Sequence, residues 1–185
     1  MNRPINADSF WTYENGVLKN KQNIKNQKEL DELEEKIIKN KLKNIPKTKF
    51  TKENFLNLHK YLYQELYDFA GTLRNENVVY NNIMACQYEV IDLCLTDLFS
   101  KTYTEDLSTT IAYLYSELMI ILPFRDGNET VIEIFLENYA KNKKHNLNFK
   151  NINKKALTEA LIYAFYKDTS KLINIFKNNI KTLNQ

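Results

Sequence analysis

Apolar residues recur every three or four positions along most of this chain, the spacing that places them on one face of a helix. Residues 27–42 carry Leu30, Leu33, Ile37 and Ile38, with charges filling the positions between. Thr51 stands where an N-cap belongs, ahead of Phe55, Leu58, Leu62 and Leu66, and predicts a helix to about Tyr67. The same spacing predicts helices over 84–101, 107–121, 129–142, 155–166 and 169–182. It runs through Ile111, Leu114, Tyr115, Leu118 and Leu122, so Leu122 is placed to bury against the core. The pattern breaks between Gly71 and Tyr80, where Val78-Val79-Tyr80 reads as extended. A small β-hairpin is expected there, with an irregular loop as the alternative. No internal repeat or low-complexity linker divides the chain, which reads as a single all-α domain over 1–185.

One turn in this pattern carries candidate chemistry. Residues 122–128 read Leu122-Pro123-Phe124-Arg125-Asp126-Gly127-Asn128, and they hold one of only three Gly and one of only three Pro in the chain. The turn opens the helix predicted to start at 129. A helix N-terminus offers free N–H groups and a favourable dipole to an anion, and Gly allows close approach. Pattern alone leaves a plain connector open, because Pro/Gly/Asn turns commonly join helices.

The segment resembles the motif of the Fic (filamentation-induced, Fic/Doc) family, His-Pro-Phe-x-acid-Gly-Asn-Gly-Arg-x-x-Arg. Pro123, Phe124, Asp126, Gly127 and Asn128 match it. Upstream, the run from Leu58 through His59 and Tyr67-Asp68-Phe69-Ala70-Gly71 to Arg74 resembles the segment that precedes the family's flap, with Phe69 where Trp is usual. The resemblance implies an all-α, Fic-like helical domain with a small β-hairpin flap. The core motif would span 122–133 and the flap about 71–80. It implies adenylyl transfer, the movement of AMP from ATP to a hydroxyl of a target protein. ATP and Mg²⁺ are the implied cofactors. Phe124, Arg125, Asp126, Gly127, Asn128, Glu129 and Thr130 would surround the nucleotide, and Asp126 would hold the metal. Thr72, Leu73, Arg74, Val78, Val79 and Tyr80 would form the flap that docks a protein target.

The departures fall on the positions that perform chemistry. Leu122 occupies the place of the catalytic His, Glu129 that of the second Gly, Thr130 that of the first Arg and Glu133 that of the last. A leucine accepts no proton, and losing a general base costs on the order of 10²–10⁴ in rate. His59 reads as a core residue and His145 as a surface one, so neither replaces the base. Glu129 brings a carboxylate to an anion site and could act as a built-in phosphate mimic. The expectation is a weak or inactive transferase. The alternatives are an active nucleotidyl or phosphoryl transferase of altered mechanism, or a non-catalytic protein-interaction module. Thr72 to Asn77 fits the family's inhibitory pattern, Ser/Thr-x-x-x-Glu-Gly/Asn, but lies in the flap region, so the match is taken as chance.

Charge adds exclusions rather than sites. The 26 basic and 23 acidic side chains nearly balance, which gives no support for nucleic-acid binding. No apolar leader or membrane-length run is visible, so the expected compartment is the cytoplasm. Cys86 and Cys94 fall in one predicted helix, about 12 Å apart along its axis, where they cannot bridge. They read as buried thiols of a reducing compartment. The expected partner is a protein target at the flap edge, with a second copy of the chain or an antitoxin-like protein as further candidates.

Overall fold

The structure is a computed structural model and describes residues 3–6 and 9–183. Seven α-helices make up its body: α1 (Gln27–Lys41), α2 (Lys52–Tyr63), α3 (Ile91–Ser100), α4 (Leu107–Ile121), α5 (Asn128–Asn142), α6 (Lys154–Tyr166) and α7 (Ser170–Asn179). Short polar side chains cap several of them. Asn26, Thr51, Asp106 and Asn153 each accept a backbone N–H from the first turn of their helix.

The hydrophobic α4 is the centre of the packing. It contacts α3, α5, α6 and α7, and nine of its residues are buried, Ile111, Leu114, Leu118 and Ile121 among them. Below it lies an aromatic cluster from α2, α3 and α5. The Phe55 ring is 5.1 Å from Phe135, 5.3 Å from Phe124 and 5.7 Å from Phe99. Phe124 thus anchors the α4–α5 turn in the core.

The expected helices all form, and the differences lie at their ends. Helix α2 stops at Tyr63 rather than Tyr67, because the chain turns and hands the Leu66 carbonyl to the Lys21 N–H at 2.8 Å. Helix α3 begins at Ile91, not 84. The Cys86 N–H donates to Ile120 O at 2.9 Å, and that tertiary bond draws the segment away from helical pairing. Helix α7 ends at Asn179, and Lys181–Thr182 (β4) pairs antiparallel with His145–Asn146 (β3). Periodicity had given no sign of this second ribbon.

The hairpin exists but is displaced from the expected 71–80. Its strands are Val79–Tyr80 (β1) and Ile83–Met84 (β2), paired antiparallel around Asn81 and Asn82. Both asparagines take positive φ, 50° and 61°, the left-handed geometry that a two-residue hairpin turn requires. Asn is among the few side chains that accept it readily. Because Cys86 lies outside α3, the two thiols converge. Cys86 Sγ and Cys94 Sγ are 3.9 Å apart and half-buried, which corrects the expectation that they are remote and buried.

Candidate active site

The turn between α4 and α5 is held from three sides. Leu122 caps α4 in the left-handed conformation (φ 46°, ψ 64°), which is uncommon for a residue with a branched side chain. Its side chain is fully buried. Inside the turn, Asn128 Nδ2 donates to Phe124 O at 2.8 Å and Asn128 Oδ1 accepts the Phe124 N–H at 2.9 Å. Asn128 therefore clasps the loop onto itself. Gly127 (φ 73°) lies flat against the Tyr63 ring, where an added Cβ would come within 2.4 Å of two ring carbons.

His59 holds the turn from below. The Gly71 N–H donates to His59 Nδ1 at 2.7 Å, so Nδ1 is the acceptor and Nε2 carries the proton. That Nε2–H then donates to Asp126 O at 3.1 Å. The ring stacks on Phe124 at 3.8 Å and 6°. Burial drives its pKa down to about 3, so the imidazole is neutral. His59 is a packing and clasping residue, as its place in the apolar stripe implied. His145 is half-exposed on β3, away from the turn.

Arg74 holds the turn from the side. Its Nε donates to Leu122 O at 2.7 Å, Nη1 to Glu76 O at 2.7 Å, and Nη2 to Ile121 O at 3.1 Å and to Cys86 O. Its own N–H donates to Pro123 O at 2.9 Å. Only 3% of Arg74 is exposed, and desolvation lowers its pKa to about 10. Its Nε, Nη1 and Nη2 are all engaged by backbone carbonyls, so the side chain faces the α4–α5 turn. Thr72 and Leu73 also precede the hairpin, and the Thr72 hydroxyl donates to Phe69 O. Val78 is buried, while Val79 and Tyr80 form the strand.

The charged groups of the turn are already paired. Arg125, a candidate for nucleotide contact, is 3% exposed. Its Nε pairs with Glu76 at 2.5 Å and its Nη1 donates to Pro4 O at 2.9 Å. Asp126 pairs with Arg3, whose Nη2 also reaches Asp31 at 2.8 Å and Glu34 at 3.1 Å. Glu129 accepts from the Tyr80 hydroxyl, and desolvation raises its pKa above the usual carboxylate value. Glu133 faces Lys154 at 2.7 Å, and Thr130 is half-buried in the first turn of α5.

A cavity of about 10 Å³ remains among Pro4, Tyr80, Leu122, Asp126, Glu129 and Thr130. That is room for about one water. Among the described residues no group of three or more His, Cys, Asp or Glu is arranged to hold a metal ion. In this arrangement the residues do not fit a magnesium-bound nucleotide: the space beside the turn holds about one water, and the one matching carboxylate is engaged by Arg3. The N-terminal segment that closes the site gave no signal in the sequence. Arg3 and Pro4 show neither periodicity nor motif.

A helical domain with a short hairpin beside a Pro-Phe-x-Asp-Gly-Asn turn defines the class. Residues 49–140 match the Fic/DOC family, and the chain belongs to that family. It is 22% identical over 186 residues to the protein adenylyltransferase VbhT of Bartonella schoenbuchensis, covering 94% of this chain and 39% of that protein. It is 27% identical over 128 residues to the probable protein adenylyltransferase Fic of Escherichia coli K12, covering 64% of each. The chain thus spans less than two thirds of either relative. Its fold is that of BepC from Bartonella tribocorum, a structure with bound AMPPNP. The TM-score is 0.81 with 18% identity, covering 97% of this chain and 100% of that one. Among the described residues, no helix is long and apolar enough to cross a membrane.

Proposed function

We propose that this chain keeps the Fic scaffold for transfer of AMP from ATP to a protein hydroxyl but carries that reaction weakly or not at all. The observation that carries the reading is Leu122. It fills the base position with a buried side chain that accepts no proton, and a serine, threonine or tyrosine hydroxyl is a poor nucleophile without a base. No other imidazole substitutes, since His59 is buried and clasped at both nitrogens.

Electrostatics argue the same way. A triphosphate needs cationic grips, and the two motif Arg positions hold Thr130 and Glu133. Arg125 is committed to Glu76, and Glu129 adds a carboxylate at the N-terminus of α5, where a phosphate would bind. Support for the ancestral reaction comes from the relatives named as protein adenylyltransferases, and support for the nucleotide from the AMPPNP held by BepC. The left-handed backbone at Leu122 is consistent with a loop whose geometry has outlasted its catalytic side chain.

Labelling with α-phosphate-labelled ATP tests this, using the purified protein alone and with a cell lysate. The parent should label nothing, or far less than a repaired variant. The combined variant Leu122→His, Glu129→Gly, Thr130→Arg and Glu133→Arg restores the base and the phosphate grips and should gain label. Label from the parent as strong as that of the combined variant, and abolished by Asp126→Ala, would refute the proposal.

A further inference from the structure

The first described segment, Arg3–Asn6, lies across the mouth of the site as an added strand. Ile5 N donates to Val79 O at 2.9 Å and Val79 N to Ile5 O at 2.9 Å, a paired antiparallel bridge on the outer edge of β1. Pro4 is buried against the cavity that Leu122 and Tyr80 line, and its carbonyl is anchored by Arg125. The Arg3 guanidinium drops between three carboxylates from two elements, Asp126 of the turn and Asp31 and Glu34 of α1. The Tyr67 hydroxyl donates to Glu34 at 2.5 Å and steadies that carboxylate. Ile5 itself is 68% exposed, so the strand is held by its backbone and by Arg3, not by a hydrophobic side chain at Ile5.

We infer that the β1 edge and the acidic cluster beneath it form one groove selective for an extended segment of the pattern Arg-Pro-x, that Arg3–Asn6 occupies this groove in cis, and that the edge opens only when this segment is released. The chemistry sets the pattern. A free strand edge offers an N–H and a C=O to any backbone, which gives affinity without sequence preference. Three carboxylates around one position select a cation, and the planar fork of Arg serves several acceptors at once. Pro fits the position between because its backbone has no N–H to satisfy there. An occupant tethered to the same chain acts at a millimolar effective concentration, so a free competitor is excluded until the tethered segment is weakened.

The test uses the full chain, ¹⁵N-labelled, with the Val79 amide as reporter and the synthetic peptide MNRPINADS as probe. The substitutions Arg3→Glu and Ile5→Pro remove the guanidinium and the N–H donor without touching the core. Their combination should speed Val79 hydrogen exchange at least tenfold, and added peptide at about 1 mM, the effective concentration to be matched, should restore protection and shift the resonance. The parent should not respond to the peptide, and a peptide with Glu in place of Arg should fail on both proteins. Arg3→Glu alone serves as the milder variant if the pair disturbs folding. Unchanged Val79 exchange in the released variants would overturn the inference, as would equal binding of the Arg and Glu peptides. So would concentration-dependent dimerisation of the released chain, which would assign the groove to a second copy. None of these readouts involves nucleotide, so they stand or fall apart from the proposal on adenylyl transfer.

Discussion

Replacing Arg74 by Ala should be among the most damaging single changes to this fold. The guanidinium donates to four backbone carbonyls, and the bonds to Leu122 O and Ile121 O are buried. Those two carbonyls end α4, where a helix has no partners of its own. A buried acceptor left without a donor costs about 1–3 kcal/mol. Water can reach the carbonyls of Glu76 and Cys86 more easily, so the buried pair dominates and sets the loss at about 3–5 kcal/mol after partial relaxation. For a chain of this size that corresponds to a fall in Tm of roughly 10 °C. Chemical denaturation followed by circular dichroism reads the loss directly. Arg74→Lys should recover only part of it, since one ammonium cannot reproduce a planar fork that meets several carbonyls. An Arg74→Ala protein within about 1 kcal/mol of the parent would refute the claim that this side chain holds the end of α4 and the turn after it, given the size expected for a buried network.

Three further outcomes follow from the same geometry. His59 has a folded pKa of about 3 against an ordinary value of 6.5, so between those values the unfolded chain binds a proton that the folded chain does not. Stability should therefore be full above pH 6.5 and fall as pH drops, by about 2 kcal/mol between pH 6.5 and pH 5, and a flat urea midpoint over that window would contradict it. Gly127→Ala forces a Cβ into the Tyr63 ring at φ 73°, and a loss well above the roughly 1 kcal/mol of a left-handed backbone alone should appear in thermal unfolding. Diamide should join Cys86 and Cys94 within one chain, read as a 2 Da mass loss (roughly two hydrogens) that Cys86→Ser abolishes, and the short loop closed should stabilise by about 2–3 kcal/mol.

Much of this architecture was legible in the apolar spacing, and the reasons for the misses are physical. The 3.6-residue period locates helix bodies, since burial of one face is what the period encodes. It does not see the tertiary backbone bonds that end them. The Cys86 N–H to Ile120 O bond unwound the predicted start of α3 and brought the two thiols together. The hairpin was visible as extended residues, but its register depended on Asn81 and Asn82 adopting positive φ. At the turn, the motif positions Phe124, Gly127 and Asn128 were all found, though Asn128 and Phe124 are engaged in holding the loop. What closes the site was invisible because Arg3 lies 123 residues from Asp126 along the chain. A contact of that separation leaves no local pattern.

Closure of the turn from Leu122 to Thr130 against nucleotide is read by titration calorimetry of the parent protein with Mg·ATP. We expect no heat of binding up to millimolar nucleotide, an affinity weaker than about −4 kcal/mol. Binding at about 0.1 mM or tighter, near −5.5 kcal/mol, would contradict it and would mean that the anion site survives beside Glu129, Glu133 and the Arg3–Asp126 pair.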